Sequence, residues 1–467
     1  MKKIKRRKKA VRAPKLDTLQ RINPNAAGVD VGAAELYVCV PEGRAEEPVR
    51  VFQTFTCDLH EIAVWLKECG VTSVAMESTG IYWIPLYEVL EAAGFDVNLV
   101  NAREAKNLPG RKSDILDCQW IQQLHSYGLL KASFRPPAEI AALRSLVRHQ
   151  SELIAARAAH IQHMQKALHL MNVQLDNVLS DITGVTGMRI LRAIVAGERD
   201  LDVLASYRDP NCKNSPEVIR RSLEGTYRQE HLFQLKQSLD LYDYHARLIQ
   251  ECSLEIEKRY RELPVKASPE MEPPPAKKRP SKTQKRNKEE PSDFDLRTQL
   301  YRISGVDLTA IDGCNTATIQ ILLSEIGTDM RPWATANHFT SWLGLCPHND
   351  ISGGKVLKSR TLKTKNRAAA ALRLAAQSLT HNNSWLGAFY RRMRARLGAP
   401  KAITAAAHKI ARIIYSMLKH RREYVDLGAD HYDAQYIKRQ TEGLIKKAKS
   451  LGFVVVPAAH EVAAAEA

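Results

Sequence analysis

The chain has 467 residues, 44% of them hydrophobic, enough to build two or three packed domains and to exclude a globally disordered protein. Its formal net charge of +18 points to a polyanionic partner such as nucleic acid. Eight cysteines without a C-x-x-C or a Cys/His cluster argue against zinc and against a disulfide framework, and no run reaches the roughly 20 apolar residues of a membrane span.

The first fifteen residues, MKKIKRRKKAVRAPK, hold nine basic residues and no acid. Residues 1–22 therefore read as a disordered basic arm, either contacting phosphates or serving as a solubilising tail. Residues 23–135 alternate strand and helix signals. GVDVGAAELYVCV and VRVFQTFT predict an antiparallel pair joined by the turn region PEGRAEEP. DLHEIAVWLKECG predicts an amphipathic helix with Asp58 as N-cap, and TSVAME a short strand. TGIYWIPLYEVLEAAG predicts a helix closed by Gly94, DVNLVN a strand, and SDILDCQWIQQLHSYG another helix. A hairpin followed by βα units is the order of an α/β, RNase H-like layer.

Four acids stand out in this layer: Asp30 in GVDVG, Glu77 in AMESTG, and Asp114 and Asp117 in KSDILD. The first two interrupt or end apolar runs and so sit on buried strands. The last two are three apart and share one helix face. Carboxylates avoid burial unless something cationic compensates them. Four that converge suit a pair of Mg²⁺ ions, the arrangement used to cut phosphodiesters. Taken singly, Asp30 could close a turn with Gly32, and Asp114 could be a first-turn acid favouring the helix dipole.

From about residue 139 the pattern is purely helical. Leu143, Val147, Gln150, Ile154, Arg157, Ile161, Met164, Leu168, Met171, Leu175, Val178 and Ile182 form a heptad seam with two polar breaks. A second seam runs through Leu232, Leu235, Leu239, Tyr242, Ala246 and Ile249 to Ile256 and Tyr260. Residues 136–263 are thus expected to form a helical coiled-coil arm, packed on itself or on a second protomer, or a plain helical bundle. Residues 264–293 are rich in Pro and Lys and read as a flexible linker. A mostly helical C-terminal domain follows over 294–430, with a tail over 431–467.

Two motifs in that domain bear on chemistry. ISGVDLTAIDGCNTATIQILLSEIG places two glycine turns before a helix, either a helix-hairpin-helix whose turn amides grip DNA phosphates or an ordinary helical connection. HNDISGGKVLKSRTLKTKNR sets Ser352 before Gly353, Gly354 and Lys355, followed by Lys358, Arg360, Lys363, Lys365 and Arg367 with no acid between them. Glycines let a phosphate approach the backbone, and a serine there can act as a nucleophile. The alternative is a polar β-turn leading into a solvated basic helix start.

Together, GVDVG, MESTG and KSDILD at the front and SGVDLTA, LLSEIG, FTSWLGLCP and SGGK at the back resemble the DEDD transposases of bacterial insertion sequences, relatives of the Piv-type site-specific invertases. The resemblance implies a RuvC-like, RNase H-fold N-terminal domain, a coiled-coil connector and a C-terminal transposase domain. It assigns the metal-binding acids to Asp30, Glu77, Asp114 and Asp117, with Mg²⁺, as two ions, for cofactor. It assigns the catalytic serine to Ser352, which would form a transient phosphoserine link to DNA. Implied partners are donor and target double-stranded DNA, a structured noncoding guide RNA, and further copies of the chain, as a dimer or tetramer through the coiled coil; no membrane is involved. Lys112, beside KSDILD, joins Gly353, Gly354 and the cations after them as expected nucleic-acid contacts. The implied location is the bacterial cytoplasm, at the nucleoid. Delegating sequence choice to base pairing fits the lack of a base-reading motif.

Three departures mark this chain: extra helical sequence near 184–262 together with the proline-rich linker, Lys365 where a glycine is expected, and Asp350 and Ile351 where small polar residues are common. The expected function is an RNA-guided transposase that mobilises an insertion sequence. The alternative is a Mg²⁺-dependent, structure-specific nuclease, resembling a junction resolvase, that uses water as nucleophile. A non-catalytic nucleic-acid scaffold would account for the charge but not for the buried acids.

Overall fold

The computed structural model describes residues 20–78, 80–101, 114–267, 295–362 and 364–456, with the side chain of Asp114 outside the description. The basic arm before residue 20, Lys112, Lys363 and most of the proline-rich linker lie outside the described residues. The chain forms two compact units, Met1–Arg135 and Pro136–Ala467.

In the first unit, β1 (Ala26–Val31), β2 (Glu35–Cys39) and β3 (Val49–Gln53) form an antiparallel meander. The segment GVDVGAAELYVCV is therefore two strands rather than one. Gly32 donates its amide to the Glu35 carbonyl at 3.0 Å, and a Cβ on Gly32 would sit 2.7 Å from that oxygen, so the glycine permits the reversal. Then come α1 (Thr56–Glu68), β4 (Ser73–Glu77), α2 (Trp83–Ala92), β5 (Asp96–Val100) and α3 (Asp114–Ser126). Phe55, not Asp58, occupies the α1 N-cap position. Asp58 lies inside the first turn, where its carboxylate accepts from the Phe55 amide at 3.2 Å and faces the positive end of the helix dipole.

The strand order is β3-β2-β1-β4-β5, with β4 parallel to β1 and β5 parallel to β4. One face of the sheet (Val29, Val31, Val74, Met76, Leu99) packs on Leu59, Ile62, Trp65 and Leu66 of α1 and Leu86 and Leu90 of α2. All five β4 residues are buried, as expected for a central strand covered on both faces.

The opposite face carries α3. Ala75, Val100 and Ile121 pack there, and the helix backbone lies directly on Gly28: a Cβ at that position would fall 2.2 Å from the Gln122 nitrogen and 2.4 Å from the Cys118 oxygen. The C-terminal end of α3 is pinned. Gln122 Nε2 donates to the Ala26 carbonyl (3.1 Å), the Ile22 and Asn23 amides donate to the Ser126 carbonyl, and His125 Nε2 lies 2.7 Å from Ser73 Oγ.

In the second unit, α4 (Ala138–Leu170) and α9 (Gln229–Glu262) pair antiparallel as a two-helix arm about 50 Å long at 1.5 Å per residue. Leu143, Val147, Met164 and Leu168 of α4 are buried, as are Leu235, Leu239, Ile256 and Tyr260 of α9. The two predicted seams are thus spent on each other within one chain. Their polar breaks are matched: Gln150 donates to Ser253 Oγ at 2.9 Å, and the Arg157 guanidinium stands 5.6 Å from the Tyr242 ring centroid. The first seam does not continue to residue 182 as one helix. It ends at Leu170, two residues before Asn172 turns left-handed (φ 58°).

Met171, Leu175 and Ile182 instead join a lobe at the arm's tip, built by α5 (Leu175–Val178), α6 (Val185–Ala196), α7 (Leu201–Ser206) and α8 (Pro216–Ser222) around Ile190, Leu191, Ile194, Leu204 and Ile219. At the other end, the buried Glu325 carboxylate accepts from Arg148 Nε and Nη2 at 2.8 and 2.7 Å. These hydrogen bonds join the arm to the helical body, α10 (Leu296–Ser304), α11 (Thr316–Ile326), α12 (Ala336–Trp342), α13 (Arg367–Gln377), α14 (Trp385–Leu397), α15 (Ala399–His420) and α16 (Gly428–Ser450). Residues 431–450, expected in a tail, continue α16, because Tyr432 is buried against Trp385 and Phe389.

Gly28→Ala should lower the unfolding free energy of the first unit by at least about 1–3 kcal/mol, the usual cost of overpacking, because the obstructing atoms are helix backbone; denaturant titration measures it. Burial lowers the His125 pKa, opposed by Asp96. A histidine held neutral by the fold withdraws stability as pH drops through and below its unfolded value of about 6.5. Wild type should therefore lose stability below that pH more steeply than His125→Asn in melts at stepped pH.

Candidate functional site

Asp30 lies on β1 and Glu77 is the last residue of β4. The parallel register pairs Ala26 with Ser73, Ala27 with Val74, Gly28 with Ala75 and Val29 with Met76, so the next step sets Asp30 beside Glu77. Side chains alternate along strands, so both acids point to the face that Gly28 and Ala75 present to α3. On its other side Asp30 is paired with Tyr37 of β2. Glu77 is only 5% exposed, and Asp30 is partly buried. The chain leaves β1 toward β2 and leaves β4 toward β5, so the two carboxylates stand at the carboxyl ends of adjacent parallel strands, where open α/β sheets form their binding crevices.

Helix α3 reaches this place from its other end. Gln122 is tied to Ala26 and Cys118 lies over Gly28, so the helix runs back along β1 toward Asp30. The neighbouring Cys39 thiol, burial and the Asp30 charge push the Cys118 thiol up and keep it protonated, and its Sγ donates to the Ile115 carbonyl at 3.2 Å. The Asp30 charge is therefore felt one residue from Asp117 in α3. Asp114 opens the same helix, but its side chain is outside the described residues. Among the described residues no group of three His, Cys, Asp or Glu side chains is arranged to hold a metal ion. The donor chemistry nevertheless suits a hard divalent cation, since Asp30 and Glu77 present carboxylate oxygens on neighbouring strand ends.

Ser352 ends β6 (Pro347–Ser352), and β7 (Lys355–Thr361) begins at Lys355, the residue paired with Ser352. Gly353 (φ 53°) and Gly354 (φ 75°) make the two-residue turn between them, both left-handed, as a type I′ hairpin demands. The basic helix start of the alternative reading is instead a basic strand. Lys355, Lys358 and Arg360 lie along β7, and every residue of β6 is exposed. Asp350 pairs with Lys358 and Ile351 with Val356, so Leu357 is an extra residue that bulges the ribbon just before the serine. No atom lies within 4 Å of a Cβ built on either turn glycine, so the tip is open to approach. Lys365 is exposed just ahead of α13, whose N-cap Asn366 accepts from the Ala369 amide, and Arg367 pairs with Glu152 at 3.5 Å.

The glycine turns around residues 305 and 313 do not offer amides to DNA. Val306, Asp307, Leu308, Ile311 and Asp312 are buried, and a Cβ on Gly313 would fall 2.4 Å from the Ala375 oxygen. Asp307 is occupied by Arg297 and by the Thr309 amide. This segment is a packed connection between α10 and α11. The sequence reading missed that Cys39 neighbours Cys118 and that Ser73 pairs with His125. Neither has a local signal, since each joins residues more than fifty positions apart.

Two family models match the chain. Residues 27–173 match the transposase family model for DEDD enzymes of the IS110 group, and residues 307–391 match the model described as the transposase IS116/IS110/IS902 family. No curated protein matches the chain. The first match contains Asp30, Glu77, Asp114 and Asp117, the second contains the Ser352 hairpin, and the chain belongs to the IS110 family of DEDD transposases, enzymes that process DNA.

Proposed function

We propose that this transposase is an RNA-guided recombinase that cuts and rejoins DNA through a transient phosphoserine at Ser352, with magnesium held by Asp30, Glu77, Asp114 and Asp117. The observation that carries the reading is the adjacency of Asp30 and Glu77 at the ends of parallel β1 and β4, beneath a helix that opens with Asp114 and Asp117. The strand order and mixed pairing support a RuvC-like, RNase H-type layer, and the long α4–α9 pair supports the connector role of a coiled coil. When bound, the two ions would supply the charge stabilisation that phosphoryl transfer requires at its entering and leaving oxygens.

The protein's own groups do the rest. Ser352 Oγ forms a bond to phosphorus as the bond to one DNA end breaks; the serine gives up its proton and the departing oxygen gains one. A second DNA hydroxyl then reverses the exchange and restores the serine, so no phosphodiester is lost to water. Lys355, Lys358 and Arg360 hold backbone phosphates without reading bases, which leaves target choice to pairing with a guide RNA. The hairpin's openness supports this role, because a nucleophile that must meet a duplex has to project from the surface.

Ser352→Ala should abolish strand exchange and the covalent protein–DNA band on denaturing gels, while Asp30→Asn should lower exchange by more than about 100-fold, the scale expected when one charge that stabilises the transition state is removed. Chelation should block adduct formation, and added Mg²⁺ should restore it. Free cleaved ends from the serine variant would instead select the hydrolytic nuclease. Replacing both turn glycines by Ala puts about 1–2 kcal/mol of strain on each residue. The melting temperature should barely move, because the ribbon buries nothing, yet exchange should collapse. Gly353→Asn, which tolerates the left-handed turn, should retain it.

A further inference from the structure

The basic excess of the folded chain is concentrated where neither family match reaches. Between residues 392 and 450, past the end of the second match at 391, there are fourteen Lys and Arg against five Asp and Glu. This stretch contains the last six residues of α14 and all of α15 and α16, and the three helices meet at an aromatic knot. The Trp385 and Phe389 rings stack at 5.9 Å, and Tyr432 of α16 meets both edge-on at 5.1 and 6.1 Å. The Arg392 guanidinium lies 3.5 Å from the Tyr436 ring centroid and is neutralised by Asp433 at 2.7 Å.

Three neighbouring cations have no such neutraliser among the described residues. Lys409 of α15 holds its ammonium 4.9 Å from the Trp385 ring centroid, a placement that fixes the charge without cancelling it. Burial, and then the charges of Arg412 on the same helix and Arg439 on α16, all disfavour the Lys409 ammonium. His408 is likewise disfavoured as a cation by burial, Arg412 and Lys409. Among the described residues none of Lys409, Arg412 and Arg439 has a carboxylate partner; Arg439 donates to Gln435 Oε1 at 3.3 Å. Arg412 and Arg439 are exposed. The knot thus holds three positive charges together against their mutual repulsion, and an arriving polyanion would turn that repulsion into binding energy.

We propose that the junction of α14, α15 and α16 is a DNA-binding surface distinct from the Ser352 hairpin, on which Lys409, Arg412 and Arg439 neutralise backbone phosphates of duplex DNA without reading bases. Duplex DNA is the occupant because the family processes it and because phosphates supply what the trio lacks. The inference rests on family membership and not on phosphoserine chemistry, so absence of a Ser352 adduct would leave it standing.

The test is fluorescence anisotropy of the full-length protein on a labelled random-sequence duplex over a range of salt. Lys409→Ala/Arg412→Ala/Arg439→Ala should reduce the log–log salt slope by roughly 2–3, at about 0.9 for each phosphate no longer neutralised. Arg412→Ala/Arg439→Ala, which leaves Lys409 on the Trp385 ring, should reduce it by about 2 with an unchanged melting curve. The charge-preserving triple Lys409→Arg/Arg412→Lys/Arg439→Lys should keep the wild-type slope. An unchanged slope in the alanine variants would overturn the proposal. So would an equal reduction in the charge-preserving triple, or a reduction seen only on a structured RNA hairpin and not on duplex DNA.

Discussion

The seating of one helix backbone on one glycine sets the geometry of the N-terminal unit. Gly28 has no side chain, so α3 lies on β1 with its own backbone atoms where a Cβ would be. At that separation the helix cannot slide. Its far end is also fastened by Gln122, Ser126 and His125 to the starts of β1 and β4. A rod pinned at one end and seated in its middle has a determined other end, and that end opens with Asp114 and Asp117. The parallel pairing of β1 with β4 does the same for Asp30 and Glu77. Acidic side chains crowded at strand ends repel one another, and close packing lets the protein hold them there.

The second unit distributes rigidity differently. Its arm is only two helices thick, and its middle is stabilised by pairing polar residues across the seam, Gln150 with Ser253 and Arg157 with Tyr242, while the apolar residues gather at its ends. Each end is anchored in a larger mass: the lobe around Ile190 and Ile194, and the body reached through Arg148 and Glu325. The buried Glu325 is matched by a two-pronged guanidinium, which offsets the cost of taking its charge out of water. By contrast, the Ser352 ribbon has no packed face. Its shape comes from backbone pairing and from two glycines in a conformation other residues avoid.

Charge follows the same division between compensated and open positions. Arg148, Arg297 and Arg392 are each paired with a carboxylate in the packed interior or at its margin. Among the described residues, Lys355 and Arg360 on the ribbon, and Lys409, Arg412 and Arg439 at the three-helix junction, have no such carboxylate partner. Among the described residues, positive charge is therefore not a uniform halo; a neutralised framework stands beside a few surfaces where cations accumulate.

Much of this was legible in the residues themselves. Apolar period marked the helices, β-branched runs marked the central strands, and acids interrupting those runs marked Asp30 and Glu77, because local composition reports burial directly. The family motifs were recognisable for the same reason: they are short and contiguous. What only the tertiary structure decided were relations between distant segments. That Asp30 faces Glu77 depends on strand register; that the two seams satisfy each other depends on the chain turning back at Asn172 and again before α9. That the glycine turn at 313 is sealed by Ala375, while the one at 353 stands open, depends on what packs above each. Glycine turns with the same local freedom met opposite surroundings, and surroundings are a property of the folded chain and not of any segment of it.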